Sequence, residues 1–274
     1  MPYVIAAIIL AALLLLWLAA VYGKRRKFGF YGLSEYHYAH RGLHDIDRDI
    51  PENSLAAFRL AVENGYGAEL DVHLTKDGRL AVMHDDTLLR MTGDPRRISD
   101  CTLAELSELR LAGTQERIPL LEEVLPLFEG RTPLVIEIKP CGKNYAVLTR
   151  KVCNLLRSYP HLSFCIESFD PRVLLWLRRK HPELIRGQLS CDFLKDRHGL
   201  SLPAAFCLTA LLTNFLTAPH FVAYRFEDRR QPSVLLCRKL WGVQGFNWTI
   251  RTAEDAEQSL KEGNLIIFEH CRPE

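Results

Sequence analysis

The first 23 residues of this 274-residue chain contain no charged side chain. Such a stretch is excluded from lying along a water-facing surface. The chain as a whole also lacks a surplus of either charge. Thirty-five Lys and Arg against 33 Asp and Glu leave +2, which excludes binding of nucleic acid by bulk attraction. None of the eight cysteines forms a C-x-x-C pair, and so large a domain has little need of a disulfide framework. They read as mostly buried, reduced thiols. No internal repeat, low-complexity tract or second linker follows residue 36. Hydrophobic residues make up 48%, with 16 Gly and 14 Pro, which excludes a disordered or collagen-like chain.

What the N-terminus does contain is one apolar run. Residues 3–22 read YVIAAIILAALLLLWLAAVY. Twenty residues of helix span roughly 30 Å, the thickness of a bilayer's hydrocarbon core. Tyr3, Trp17 and Tyr22 lie toward its ends, where interfacial aromatics collect. A cleaved signal peptide would carry basic residues before the run; here Lys24-Arg25-Arg26-Lys27 follow it. The reading is a transmembrane helix at 1–23 and a basic juxtamembrane linker at 24–35. By the positive-inside rule, a cytoplasmic domain at 36–274 follows, giving a single-pass membrane protein.

That domain reads as α/β. Strand-like runs are expected at Tyr36–Ala39, Ala68–Leu74, Leu134–Ile138, Phe164–Ser168, Arg186–Leu189, Phe221–Tyr224, Gly245–Ile250 and Leu265–Phe268. Helical patterns are expected at Ser54–Asn64, Leu121–Phe128, Tyr145–Ser158, Val173–His181 and Ala253–Glu262. Eight strands with intervening helices, in a domain this long, point to a distorted (β/α)8 TIM-type barrel. A doubly wound open sheet is the alternative. Leu80–His84 follows its predecessor across Asp77-Gly78, a hairpin signal, and stands outside the eight. Pro203–Leu216 is too short to span a bilayer. It reads as a core helix or as a surface helix resting on the membrane.

Polar residues cluster where these strands end, which is where barrels keep their chemistry. Strand neighbours two apart share a face, so Glu69 pairs with Asp71, and Glu137 with Lys139. Three carboxylates, Glu69, Asp71 and Glu137, can hold one Mg²⁺ or Ca²⁺. His40 and His84 can serve as general base and acid near neutral pH. Arg41 can clamp a phosphate with its planar fork, and Lys139 can add a point charge.

The run AHRGLHDIDRDIPENSLAAFRLAVENGYGAELDVHLTKDGRLAVMHDDTLLRMTG (39–93) closely resembles the glycerophosphodiester phosphodiesterase family. The resemblance is carried by H-R-G at 40–42, P-E-N-S at 51–54, E-x-D-V-x-x-T-x-D-G at 69–78, AVMHD at 81–85 and LLRMTG at 88–93. It continues through IPLLEEVL (118–125), IEIK (136–139), ESFDP (167–171) and Trp248-Thr249. It implies a distorted barrel with an insertion, here Thr92–Gln115, and hydrolysis of glycerophosphodiesters to glycerol 3-phosphate and an alcohol. His40 and His84 match the family's acid/base pair, Glu69, Asp71 and Glu137 its metal ligands, and Arg41 and Lys139 its phosphate contacts. Glu52 and Asn53 match the family's P-E-N motif, which implies that they position the first βα loop, or that Glu52 lies near the site. Glu167 and Trp248 are expected to line the pocket. The chain departs from the family's G-I-I-T-D-x-P-like ending with Ile266-Ile267-Phe268-Glu269-His270. Two rival readings carry their own signatures. Cleavage of lysophospholipid head groups would give the membrane helix a part in substrate access. A non-catalytic binding barrel would have lost a histidine or carboxylate, and none is missing.

Overall fold

Strand β2, Gly67–Leu74, shows how the barrel is organised. Its residues alternate between two faces. Leu70 and Val72 join the layer between sheet and helices, while Glu69 and Asp71 take the opposite parity. Strand β4, Leu134–Ile138, repeats the pattern, with Leu134, Ile136 and Ile138 outward and Val135 and Glu137 inward.

The computed structural model describes residues 1–25 and 32–273. Residues 26–31, which include Arg26, Lys27 and part of the expected linker, lie outside the described residues. Among those described, the strands are β1 Tyr38–Ala39, β2, β3 Leu80–Val82, β4 Leu134–Ile138, β5 Phe164–Ser168, β6 Arg186–Ser190, β7 Phe221–Arg225, β8 Gln244–Ile250 and β9 Asn264–Phe268. The helices are α1 Pro2–Ala20, α2 Leu55–Glu63, α3 Leu89–Thr92, α4 Leu103–Ser107, α5 Leu121–Phe128, α6 Tyr145–Leu156, α7 Pro171–Lys180, α8 Leu202–Thr209, α9 Asn214–Thr217, α10 Pro232–Trp241 and α11 Ala253–Lys261. Strands β2 and β4 through β9 pair in parallel, and β1 pairs with both β2 and β9, closing an eight-stranded parallel barrel. Strand β3 is the antiparallel hairpin partner of β2 and stays outside the eight.

The expected barrel is the observed one, with local corrections. The first strand holds only Tyr38 and Ala39. Helix α10 was not anticipated. Its starting Pro232 reads as a break but is tolerated in a first turn, where the missing N–H has no helical partner. The apolar stretch 203–216 is two helices, not one, because the backbone turns left-handed at Leu211 (φ 54°). The insertion at 92–115 has a small core of its own, in which Met91, Ile98, Leu106 and Leu111 pack on Ala81 and Met83 of the hairpin arm.

The barrel interior is layered. Tyr38, Val135, Cys165, Phe221 and Phe246 fill its lower part. One strand step higher, Glu137 lies beside Asp71 and Glu167 in the parallel register. The apolar floor is what desolvates the carboxylates above it.

Candidate active site

Glu69, Asp71, Glu137 and Glu167 are all at most 5% exposed. Buried carboxylates are costly unless paired, and two cations partner them here. Lys139 Nζ lies 3.3 Å from Asp71 Oδ1 and 3.0 Å from Glu137 Oε2. Arg41 donates its backbone N–H to Glu69 (3.1 Å) and its guanidinium Nη1 to Glu52 (2.8 Å), with Nε 3.8 Å from Asp71 Oδ2. Asn53 donates from Nδ2 to Asp71 Oδ2 at 2.9 Å.

The first loop holds these groups by a tight backbone. Arg41 and Asn53 both have positive φ, and Asn53 N–H donates to the Arg41 carbonyl at 2.8 Å. Gly42 is required between them. A side chain there would meet Ala57 Cβ at 2.8 Å, at a φ of +81°. The H-R-G and P-E-N segments are thus two sides of one loop, anchored where Ser54 caps α2 by accepting from Ala57 N–H.

Four clustered carboxylates against two cations leave the site short of positive charge. Burial pushes the Glu137 carboxyl up to about 8 against the pull of Lys139, and the neighbouring Asp71 adds to the rise. Burial, then repulsion from Asp71 and Glu137, lifts Glu69 well above the usual range. Burial and the same kind of repulsion lift Glu167. Burial also opposes ionisation of Asp71, yet Lys139, His84 and Arg41 together hold its carboxyl well below the usual range.

One ligand atom from each of Glu69, Asp71 and Glu137 lies within 4.8 Å of the others. Oxygens around one hard cation are separated by no more than about twice the metal–oxygen distance, ~4.2 Å for Mg²⁺ and ~5 Å for Ca²⁺, and an upper bound of 4.8 Å admits both. The all-oxygen set, the spacing and the missing positive charge therefore fit one Mg²⁺ or Ca²⁺ without selecting between them.

The two histidines approach from different sides. His40, at the end of β1, has Nε2 4.0 Å from Glu69 and Nδ1 3.6 Å from Glu269. Burial lowers its pKa to about 4 despite the Glu269 carboxylate, which favours the charged form. His84 Nδ1 lies 2.6 Å from Asp85 Oδ1, and Arg90 clamps Asp85 Oδ2 at 2.6 Å. Arg90 also binds Glu52 at 2.7 Å. One charged chain therefore runs from His84 through Asp85, Arg90, Glu52 and Arg41 to Asp71. Burial, together with Lys139 and Arg41, lowers the His84 pKa, while Asp71 and Asp85 act against them. A cavity of about 450 Å³ is lined by His84, Glu137, Lys139, Ser168 and Phe169.

The structure thus brings together His40, Arg41, Glu69, Asp71, Glu137 and Lys139, with His84 at the cavity edge and Glu167 beside Glu137. Trp248 stands apart from the charged cluster. It packs edge-on against Phe169 at 5.8 Å, and Phe169 against Phe193 at 5.9 Å. Three residues escaped the sequence reading. Glu269 lies between His40 and His44, 3.3 Å from the latter; the atypical ending of β9 obscured it. Asp85 and Arg90 were visible only as parts of motifs. Buried His73, whose Nε2 is 3.2 Å from the His84 carbonyl, supports the hairpin arm from below.

This barrel, with acid groups and cations at the carboxyl ends of its strands, has the layout of a TIM-barrel enzyme. Residues 40–268 match the glycerophosphoryl diester phosphodiesterase family, and the chain belongs to it. A glycerophosphodiester phosphodiesterase of Caldanaerobacter subterraneus is 33% identical over 237 residues, covering 82% of this chain and 89% of that one. A lysophospholipase D of Rattus norvegicus is 37% identical over 164 residues, covering 55% of this chain and 49% of that one. Among solved structures, a phosphodiesterase of Oleispira antarctica in complex with the product sn-glycerol-3-phosphate superposes with a TM-score of 0.70 at 25% identity. It covers 85% of this chain and 92% of that one.

Proposed function

We propose that this protein hydrolyses glycerophosphodiesters to glycerol 3-phosphate and an alcohol in a metal-dependent reaction. The observation that carries the reading is the buried Glu69–Asp71–Glu137 cluster flanked by Arg41, Lys139 and two histidines. In this reading the three carboxylates hold one divalent cation, which when bound supplies positive charge to the phosphoryl oxygens. Arg41 and Lys139 orient the phosphodiester and stabilise charge on it as the transition state forms. One histidine of His40 and His84 takes the proton of the nucleophile, either water or the adjacent glycerol hydroxyl. The other gives a proton to the departing alkoxide. Attack by the hydroxyl passes through a cyclic phosphodiester. Glu167 and Trp248 back the pocket, Glu167 beside Glu137 and Trp248 against Phe169.

Residues 1–23 act as a membrane anchor, 24–35 as the juxtamembrane connection and 36–274 as the catalytic domain, placed on the cytoplasmic side by the basic residues after the anchor. α1 supports this with 19 residues, 18 of them in a stretch of mean hydropathy 2.7, and none buried.

The test is to incubate the full chain with glycerophosphocholine and Mg²⁺, Ca²⁺ or EDTA, and to assay choline and glycerol 3-phosphate. Metal-dependent release of both is expected. Equal rates in EDTA would overturn the metal reading, and no release from any soluble diester would overturn the substrate. A second reading, cleavage of lysophospholipids, is favoured by the aromatic series Phe169, Trp248 and Phe193 beside the cavity. Choline released only from lysophosphatidylcholine would establish it.

A further inference from the structure

The outer wall between β6 and β7 is unusual for a water-facing surface. Residues 199–219 contain no Asp, Glu, Lys, Arg or His. Among the described residues beyond α1, seven of the eleven exposed large apolar side chains fall between 194 and 240. On α8 and α9, Leu202 is 61% exposed, Phe206 52%, Phe215 50% and Leu216 42%. Concentrated apolar exposure of this kind marks an interaction surface.

The position of α1 says what that surface meets. The helix does not hang from the barrel on a slack tether. Its last turns are fixed to the wall, with Trp17 Nε1 donating to Ser233 Oγ and Trp241 Nε1 to the Leu18 carbonyl, each at 3.2 Å. Tyr22 packs edge-on against Trp241 at 5.0 Å. Lys24 N–H donates to the Pro219 carbonyl at 2.8 Å, and α1 also packs on α9. Helices α9 and α10 therefore sit at the depth of Trp17 and Leu18, and whatever surrounds the end of α1 also reaches them.

The charge around this patch has one dominant sign. Arg178, Arg179 and Lys180 form the last turn of α7, which packs against α9, and Arg178 donates to the carbonyls of Phe215 and Leu216. Arg238 and Lys239 occupy the last turn of α10, and Lys24 and Arg25 follow α1. Apolar side chains rimmed by Lys and Arg are the composition of a surface that lies in an anionic lipid interface.

We propose that the α8–α9 face is a second membrane contact, which seats the barrel side-on in an anionic phospholipid bilayer next to its own transmembrane helix. The proposal rests on the reading of α1 as a membrane anchor. Its consequence is positional. On the inner side of α8, Ala205 and Leu208 pack with Phe193, Phe169 and Trp248. The face in the lipid is thus backed by the aromatic residues beside the cavity.

The experiment places a photoreactive benzoyl-phenylalanine at Phe206 or Phe215 of the full chain, reconstituted in mixed phosphatidylglycerol and phosphatidylethanolamine vesicles. Leu10 in α1 and Val147, exposed on α6, take the same label as references. Lipid adducts at 206 and 215 several-fold above those at 147 are expected. Adducts at 206 and 215 no greater than at 147 overturn the proposal. Adducts at 215 alone also overturn it, because the contact is then only the surroundings of α1. Failure at Leu10 overturns the anchor itself, a separate result. Hydrolysis of glycerophosphocholine in the same preparations reports folding and the catalytic reading independently. If either labelled variant is inactive, Leu202 and Leu216 carry the label instead, read against the same references.

Discussion

The two halves of the barrel mouth are built from different chemistry. From β1 through β4 the strand ends carry His40, Arg41, Glu69, Asp71, Glu137 and Lys139, nearly all of them charged and tied to one another. From β5 through β8, after Glu167, the mouth adds an aromatic group, Phe169, Phe193 and Trp248 in edge contact, beside a separate ion-pair set of Arg225, Asp228 and Lys195. A phosphodiester has a similar asymmetry. Its phosphate needs fixed charges in a low-dielectric place, while the group beyond the leaving oxygen needs only shape and apolar surface. The division suggests that chemistry belongs to the first half and substrate choice to the second.

The largest break in that comparison comes from the carboxylates. Asp71→Asn or Glu137→Gln should lose more activity than the ~10–100-fold typical of groups that merely orient a metal ligand. Steady-state kinetics across a metal titration checks it, and retention of activity within tenfold would move the chemistry elsewhere. His40→Ala and His84→Ala should each cost about 10²–10⁴-fold in kcat, the range of acid/base catalysis. Rates near wild type for either would remove that residue from the reaction. Asn53→Ala tests a supporting contact in the charged half. It removes the donor to Asp71 Oδ2 and should weaken metal affinity about 10–100-fold, read as the metal concentration for half activity.

The aromatic half should respond differently. Trp248→Leu should leave kcat on glycerophosphocholine within a few-fold of wild type and raise KM for lysophosphatidylcholine. Equal losses on both substrates would erase the division between the halves. The smallest effect is a pH dependence of stability. Burial favours the neutral form of Asp85, but Arg90 and then His84 hold its carboxyl at about 2, below the ~3.9 of an unfolded Asp. A depressed carboxyl stabilises the fold above its unfolded pKa, and that contribution is lost as pH falls through the folded one. The melting-temperature gap between wild type and Asp85→Asn should therefore be widest above pH ~4 and narrow toward pH ~2. A constant gap would show that Asp85 acts by packing alone.

Much of the charged half was legible without coordinates. Glu69 and Asp71, or Glu137 and Lys139, share a face because a strand has a period of two, and a motif read along the chain carries that geometry with it. The barrel was legible for a related reason, since short apolar runs alternating with amphipathic helices leave few ways to bury both. Helix α10 was missed because local residue preference is a weak guide where packing decides.

What the sequence by itself determined is the set of local conformations and faces: which residues can be strand, which side each side chain takes, and which N-terminal run is long and apolar enough to cross a membrane. Only the tertiary structure decided that Glu269, just after the last strand, reaches His40, just after the first, because barrel closure joins segments separated by most of the chain. The same holds for the chain of ion pairs from His84 to Asp71 and for the docking of α1 on α9 and α10. Each is a contact between distant segments, and no periodicity encodes its distance. Packing sets it, through the crowding of Gly42 against Ala57 and the apolar floor beneath the carboxylates.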